Sequence, residues 1–175
     1  MAQPTLRTWQ GAGEPLRLVA KTVPAGDTSA KALACYGVWL PDLGEMWLRF
    51  VDGRPLSAVT IDYLGWCAGQ AAAHGRSRLV LIWDNASWHT SRVVQRWIGE
   101  HNRQVLRSGQ GARIVPCRLP IRSPWLNPIE AKWTYGKRQV AEPSRVLAIE
   151  ELEERVCEVY RCPRLPHLRH SKLVS

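Results

Sequence analysis

The first strong pattern along the chain is a pair of apolar, β-type runs. They are "ALACYGVWL" at residues 32–40 and "EMWLRFV" at residues 45–51, and "PDLG" separates them. Pro, Asp and Gly favour a tight turn, so the two runs predict a β-hairpin. Residues 1–31 are rich in Gly, Pro and polar side chains, and we expect them to form an irregular lead-in.

Helical periodicity follows the hairpin. Residues 57–74 place apolar side chains at helical spacing, which predicts a helix with Ser57 as its N-cap. Residues 90–106 show the same spacing and predict a second helix, capped by Thr90 or Ser91. Each helix has one apolar face, so each must pack against another layer.

Short apolar runs separate and follow these helices. "RLVLIW" at residues 78–83 is typical of a strand buried on both faces, and "ARIVPC" at residues 112–117 predicts another strand. Residues 127–140 and 148–160 predict two further helices. The order strand, strand, helix, strand, helix, strand, helix, helix implies an α/β fold with a mixed sheet flanked by helices.

Composition places the chain among globular proteins. It has 175 residues, of which 45% are hydrophobic, enough for one domain with its own core. No stretch approaches the roughly 20 apolar residues of a membrane span, and the first residues lack the apolar core of a signal peptide. Five cysteines without a CxxC pair fit a reducing compartment. We expect a cytoplasmic protein with no membrane partner.

Charge is distributed unevenly. The net charge is +9, and residues 84–140 hold ten Lys and Arg against three Asp and Glu. Positive charge gathered around a few acids is the footprint of a site that binds a polyanion. A solvated basic surface is the alternative that charge alone leaves open.

Two acids stand at positions where ligands gather in α/β folds. Asp84 directly follows the third predicted strand, and Glu130 lies in the first turn of a helix that begins with Asn127 as N-cap. Carboxylates of this kind suit Mg²⁺, which prefers oxygen ligands. Local structure offers another explanation, because Asp84 and Asn85 can start an Asx-turn and Glu130 can complete a capping box with Asn127.

Two blocks of residues carry a family resemblance. "WDNASWH" contains Asp84, Asn85 and His89, and "SPWLNPIE" at residues 123–130 ends with the second acid. They resemble the Asp-Asn-x-x-x-His and Ser-Pro-x-Leu-Asn-Pro-Ile-Glu blocks of the DDE transposases of bacterial insertion sequences. This mariner-like superfamily has a ribonuclease H-like catalytic core, and the resemblance covers roughly residues 5–160.

The resemblance implies an enzyme that cleaves and transfers DNA strands in transposition, using Mg²⁺ or Mn²⁺ held by three acids. Asp84 matches the second acid and Glu130 the third, so both are expected to be catalytic residues and metal ligands. Asn85, His89 and Asn127 match supporting positions. His89 would orient Asp84, contact a phosphate or bond only to its own backbone. The partners would be double-stranded DNA, at transposon ends and target, and a second copy of the chain.

Six basic side chains lie around the two blocks in the sequence. Phosphate contact is the use that we expect for them. They are Arg92, Arg96, Arg122, Lys132, Lys137 and Arg138.

The first acid of the triad has no match. In the family it ends the first strand of the core, whereas the available acids fall in turns, a helix or the lead-in. These acids are Asp27, Asp42, Asp52 and Asp62. We therefore expect the core to lack its first strand, and the first acid to come from the upstream half of a split transposase. The alternative is a non-catalytic DNA-binding remnant or a regulator of transposition.

These expectations divide the chain into three parts. Residues 1–31 are the lead-in, residues 32–142 are a partial ribonuclease H-like core, and residues 143–175 are a C-terminal helix and tail. Within the last part, a cluster of Cys157, Cys162, His167 and His170 does not have a usual zinc-ligand spacing. We expect Cys157 to pack from the last helix instead.

Overall fold

The structure of the protein is a computed structural model that describes residues 32–142 and 146–169. The predicted lead-in, residues 1–31, and His170 lie outside the described residues. β1 (Ala34–Leu40) and β2 (Glu45–Val51) form the predicted antiparallel hairpin. Gly44 adopts a φ of 68° in its turn, a left-handed conformation that glycine reaches without strain.

A parallel pair of strands follows the first helix. α1 (Ser57–Ala73) leads to β3 (Arg78–Trp83), which pairs in parallel with β4 (Arg113–Arg118) from Arg78 opposite Arg113 to Trp83 opposite Arg118. Antiparallel and parallel pairing therefore both occur, as predicted. Within the described ranges the four strands form two separate two-stranded sheets.

The helix predicted at residues 90–106 is present, and a short helix that was not predicted precedes it. α2 (Ser87–Thr90) ends at Ser91, whose φ of −59° and ψ of 145° are extended, and α3 (Arg92–Ser108) begins after it. Ser91 Oγ accepts the Val94 N–H at 3.3 Å, so Ser91 is the N-cap, one of the two residues predicted for that role. Gly109, with a φ of 67°, ends α3 in a left-handed cap.

Two more helices complete the described chain. A 3₁₀ turn at Pro124–Leu126 precedes α4 (Ile129–Gln139), and α5 (Ile149–Tyr160) packs beside α4. Beyond α5, Leu168 forms an isolated parallel bridge with Val51 at the end of β2. Among the described helices, none has the length and apolar character needed to cross a membrane.

The predicted N-cap of α1 is wrong by one residue. Leu56 occupies the cap position, and no side chain there bonds to the first turn. Ser57 Oγ instead donates to Ser91 Oγ at 2.8 Å, which joins the start of α1 to the start of α3. A tertiary hydrogen bond has taken the place of a local one.

The hairpin forms the centre of the core because β2 is covered on both faces. Trp47 and Val51 pack with α1 on one face. The alternate positions of β2 pack with the last two helices on the other face, and this group includes Met46, Leu48, Phe50, Val140, Leu152 and Val156. Period-two alternation of a strand explains this division.

β3, by contrast, is covered on one face only, so the prediction of burial on both faces is wrong. Leu81 and Trp83 are 6% exposed and pack against α1 and α3, whereas Val80 is 62% exposed and Ile82 44%. The uncovered face lines a cavity, because no described helix lies over it. A continuous apolar run could not reveal which of its faces lacks a neighbour.

Gly136 tests the packing of α4 on α5. A Cβ at this buried glycine would overlap the phenol of Tyr160, whose hydroxyl donates to Lys132 O at 2.8 Å. We expect Gly136→Ala to lower the free energy of unfolding by about 1–3 kcal/mol through overpacking, although alanine favours a helix. Urea denaturation measures the change.

The control for this substitution lies in α1. Gly69 is exposed, and a Cβ there meets nothing within 4 Å. Gly69→Ala should raise the free energy of unfolding by about 0.5–1 kcal/mol. Equal effects of the two substitutions would contradict the close approach of α4 and α5.

Candidate functional site

Asp84 stands one residue beyond β3 with its two carboxylate oxygens in different surroundings. Oδ1 accepts the Ala86 N–H at 2.9 Å and the His89 Nδ1–H at 2.9 Å. The bond to Ala86 is the Asx-turn that the sequence left open. In the described chain Oδ2 makes no hydrogen bond, and the side chain is 59% exposed. The turn therefore orients the carboxylate and leaves one oxygen for a ligand.

His89 holds Asp84 in this orientation. Its ring stacks on the Trp83 indole, with centroids 4.9 Å apart and planes 15° from parallel, and the side chain is 18% exposed. A carboxylate only accepts hydrogen bonds, so Nδ1 carries the proton in this contact. Burial lowers the pKa of His89, although the hydrogen bond to Asp84 acts in the opposite direction. Of the three roles considered from the sequence, the orientation of Asp84 agrees with the geometry.

Asn85 faces away from its neighbour's carboxylate. Its Nδ2 donates to Leu119 O at 2.7 Å, and the Leu119 N–H donates to Trp83 O at 3.0 Å. These bonds join the chain beyond β3 to the chain beyond β4. Asn85 is therefore placed to support the loops of the site and not to contact a ligand in it.

Glu130 lies in the first turn of α4, as predicted. The capping box that local structure offered as an alternative role for Glu130 is absent, because the Asn127 N–H donates to Pro124 O at 2.9 Å. Asn127 Oδ1 accepts a long 3.4 Å bond from the Ile129 N–H, and Asn127 O accepts the Glu130 N–H at 3.0 Å. α4 begins after Pro128, one residue later than an Asn127 cap would place it. Asn127 still fixes the backbone that carries Glu130.

One cavity brings the two acids together. It encloses about 500 Å³, and Asp84, His89, Asn127, Glu130 and Lys137 all line it. Its remaining walls are largely apolar and come mainly from β1, α1, β3, Trp88 and Trp133. Residues far apart in the sequence thus converge where carboxylate oxygens and one cation face a shared space.

Most of the predicted basic residues lie outside this cavity. Lys137 is in its lining, whereas Lys132 Nζ sits 3.9 Å from the centroid of the Trp39 ring in a cation–π contact. The others are exposed and do not line it; they are Arg92, Arg96, Arg122 and Arg138. Trp83, the stacking partner of His89, was not predicted to belong to the site, because the sequence shows only an aromatic residue at the end of a strand.

Among the described residues, no third acid lies in the cavity wall beside Asp84 and Glu130. Asp84 and Glu130 are the only carboxylates among the described residues of the cavity wall, and these residues contain no group of three potential metal ligands. Asp42 pairs with Arg76 at 2.7 Å, and Asp52 pairs with His167 and Arg169. The acids considered for the first position are thus engaged elsewhere or, like Asp27, lie outside the described residues.

The cysteine and histidine cluster does not form a zinc site in the described chain. Both ring nitrogens of His167 face carboxylates, Nδ1 that of Asp52 and Nε2 that of Glu153 at 2.8 Å. Cys157 and Cys162 are free thiols that pack beside the apolar cluster of α5, as predicted for Cys157. Burial raises the pKa of Cys162 to about 12, which disfavours the thiolate that zinc requires.

Comparison with solved structures identifies the fold class. The chain is similar to the "Mos1 transposase paired-end complex with left transposon end", with a TM-score of 0.62 and 15% sequence identity. The match covers 93% of this chain and 44% of that chain, so this chain spans less than half of the length of that transposase. The expected ribonuclease H-like α/β fold is confirmed.

The family follows from the sequence profile of the DDE superfamily endonuclease, which matches residues 39–153. The match covers more than half of the chain, and the chain therefore belongs to the DDE superfamily endonuclease family. The matched range includes both Asp84 and Glu130. No curated protein matches the chain.

His89 gives the site a measurable pH dependence. Its pKa is lowered in the folded protein, so the unfolded chain binds the proton more readily. The free energy of unfolding should therefore fall as pH decreases from about 7 to about 5. His89→Asn retains an N–H for Asp84 but does not titrate, and its stability should fall less steeply in urea denaturation.

If His89→Asn lost stability as steeply as the original chain, the buried environment assigned to His89 would be wrong.

Proposed function

We propose that the chain is the catalytic part of a DDE transposase of the bacterial insertion-sequence type, which cleaves and transfers DNA strands in a metal-dependent reaction. The observation that carries the proposal is the convergence of Asp84 and Glu130 on one cavity within a chain of the DDE superfamily endonuclease family. Asp84 would be the second acid of the triad and Glu130 the third. The site of action is DNA in the cytoplasm.

The donor set fits a divalent ion. DDE endonuclease domains generally use such ions, and Mg²⁺ and Mn²⁺ prefer carboxylate oxygens together with water and phosphate. Asp84 Oδ2 and the Glu130 carboxylate would hold the ion, because neither makes a hydrogen bond within the described chain and both residues line the cavity. Bound there, the ion would activate an attacking hydroxyl and stabilise the leaving oxygen of a phosphodiester.

The chain's own residues would orient the two acids and bind DNA. His89 and the Ala86 N–H hold Asp84 Oδ1, which fixes the direction of its other oxygen. Lys137, the cation of the cavity wall, would attract a DNA phosphate beside the two acids. Asn85 and Asn127 would hold the loops that carry the acids.

The first acid would come from a strand beyond the described residues. β1 and β3 line the same cavity, and among the described residues neither has a second strand partner, so a strand added at their open edges would lie beside the cavity that holds both acids. The upstream half of a split transposase is the source that we propose. A homodimer on double-stranded DNA would be the working assembly.

One observation favours a second candidate function. The described part of the cavity has two carboxylates instead of three, and a symmetric pair of ions needs more oxygen ligands. A chain left in that state would be a non-catalytic DNA-binding regulator of transposition. Metal binding separates the two functions, because the regulator needs only the basic surface.

The first test measures Mn²⁺ binding to the purified chain by electron paramagnetic resonance. Asp84→Asn and Glu130→Gln should each weaken binding by about tenfold or more, since even residues behind the ligands contribute that much in metal sites. The control is Asp42→Asn, which removes an exposed carboxylate paired with Arg76 and should change nothing. Loss of affinity in neither site variant would favour the regulator.

The second test measures activity. With Mg²⁺ and a duplex transposon end, the chain alone should show no efficient strand transfer, because a single weakly held ion lacks the second ion's charge. Addition of the polypeptide encoded upstream should restore strand transfer, and Asp84→Asn should abolish it. Strand transfer by the chain alone, lost in Asp84→Asn, would show that no added acid is needed.

A further inference from the structure

Four arginines form one line along α3. At about 100° per residue, Arg92, Arg96, Arg103 and Arg107 fall within an arc of about 60° around the helix axis. All four are exposed. Val94 and Ile98, the buried residues of α3, lie on the opposite side. We name these four residues the arginine stripe; its second half was not singled out in the sequence.

The stripe is positively charged without neutralising contacts. In the described part of the chain, none of its guanidinium groups forms an ion pair with a carboxylate within 4 Å. Glu100, at the edge of the arc, is the one acid on α3, so three positive charges remain after it is counted. Arg103 Nη1 lies 3.9 Å from where a Cβ of Gly99 would be, so this side chain extends along the stripe.

The stripe starts beside the cavity and leads away from it. Gln95 Nε2 donates to His89 O at 3.1 Å, which holds the first turn of α3 against the residue that orients Asp84. From Arg92 to Arg107 the helix rises about 22 Å. Arg103 and Arg107 are thus too far along α3 to act on the reacting phosphate.

We propose that the arginine stripe binds the phosphate backbone of duplex DNA on the segment that leaves the catalytic cavity. Arginine forms paired hydrogen bonds with phosphate, and duplex DNA presents one charge per roughly 1.7 Å of its axis, so a straight row of cations meets many phosphates. A protein partner is disfavoured, because no large apolar side chain lies within the arc and interface centres are apolar. The proposal rests on the function proposed above and adds a DNA path to it.

The experiment follows binding of a fluorescein-labelled duplex, about 25 base pairs of mixed sequence, by anisotropy at several salt concentrations. Arg103→Gln/Arg107→Gln removes two phosphate contacts and should lower the slope of log affinity against log salt by about 1.8. Affinity at moderate salt should fall at least about tenfold, equally for unrelated duplex sequences.

The matched control is Arg78→Gln/Arg161→Gln, which removes the same charge from exposed residues outside α3 that, like the stripe, form no ion pair in the described chain. It should retain the original slope. Thermal unfolding of all variants checks that the fold is intact. If the stripe variant behaved like this control, the proposal would be overturned. The same holds if the stripe variant lost binding to poly-glutamate but not to duplex DNA, because the surface would then bind an acidic protein.

Mn²⁺ binding separates this proposal from the proposed function. The stripe variant should bind Mn²⁺ as the original chain does, because both substitutions are remote from Asp84 and Glu130. If the stripe variant showed a lower slope of log DNA affinity against log salt but no variant bound Mn²⁺, the arginine stripe would be supported and the catalytic function contradicted. If the stripe variant bound DNA as the original chain does and Mn²⁺ binding depended on Asp84, the catalytic function would be supported and the arginine stripe contradicted.

Discussion

Parallel pairing of β3 with β4 is the interaction on which the site depends. Because parallel strands end at the same edge of a sheet, it brings the chain beyond Trp83 next to the chain beyond Arg118. Asn85 then joins the two loops through Leu119 O. The loop after β4 leads through a 3₁₀ turn to Glu130, so the second acid reaches the cavity by way of the same pairing.

The two acids are held in different ways, and the difference suits a shared ligand. Asp84 is oriented through one oxygen by a backbone N–H and by His89, which is itself fixed by stacking on Trp83. Glu130 is placed by the backbone of a helix start and keeps its side chain free to adjust. Such a pair would suit the proposed ion, whose other ligands would be water and phosphate.

Sequence patterns predicted the elements well, because hydrophobic periodicity reports the neighbours of each residue along the chain. They failed where a contact between residues far apart in the sequence determined the local structure. Ser57 bonds to Ser91 instead of capping α1, and the short α2 before Ser91 was not predicted. The Asp84 and Glu130 blocks located the site, but the stacking of His89 on Trp83 depends on a three-dimensional approach that no spacing rule encodes. Charge counts along the sequence identified a basic segment, but the alignment of its arginines on one side of α3 became visible only in the structure.

The uncovered face of β3 has a consequence for the behaviour of the chain in solution. Val80 and Ile82 expose apolar surface on a short strand, and in the described residues neither β1 nor β3 has a second strand partner. Open strand edges beside apolar surface recruit strands from other molecules. Solubility and completion of the cavity are therefore linked, since a strand that paired with these open edges would both extend the cavity wall and remove the template for aggregation.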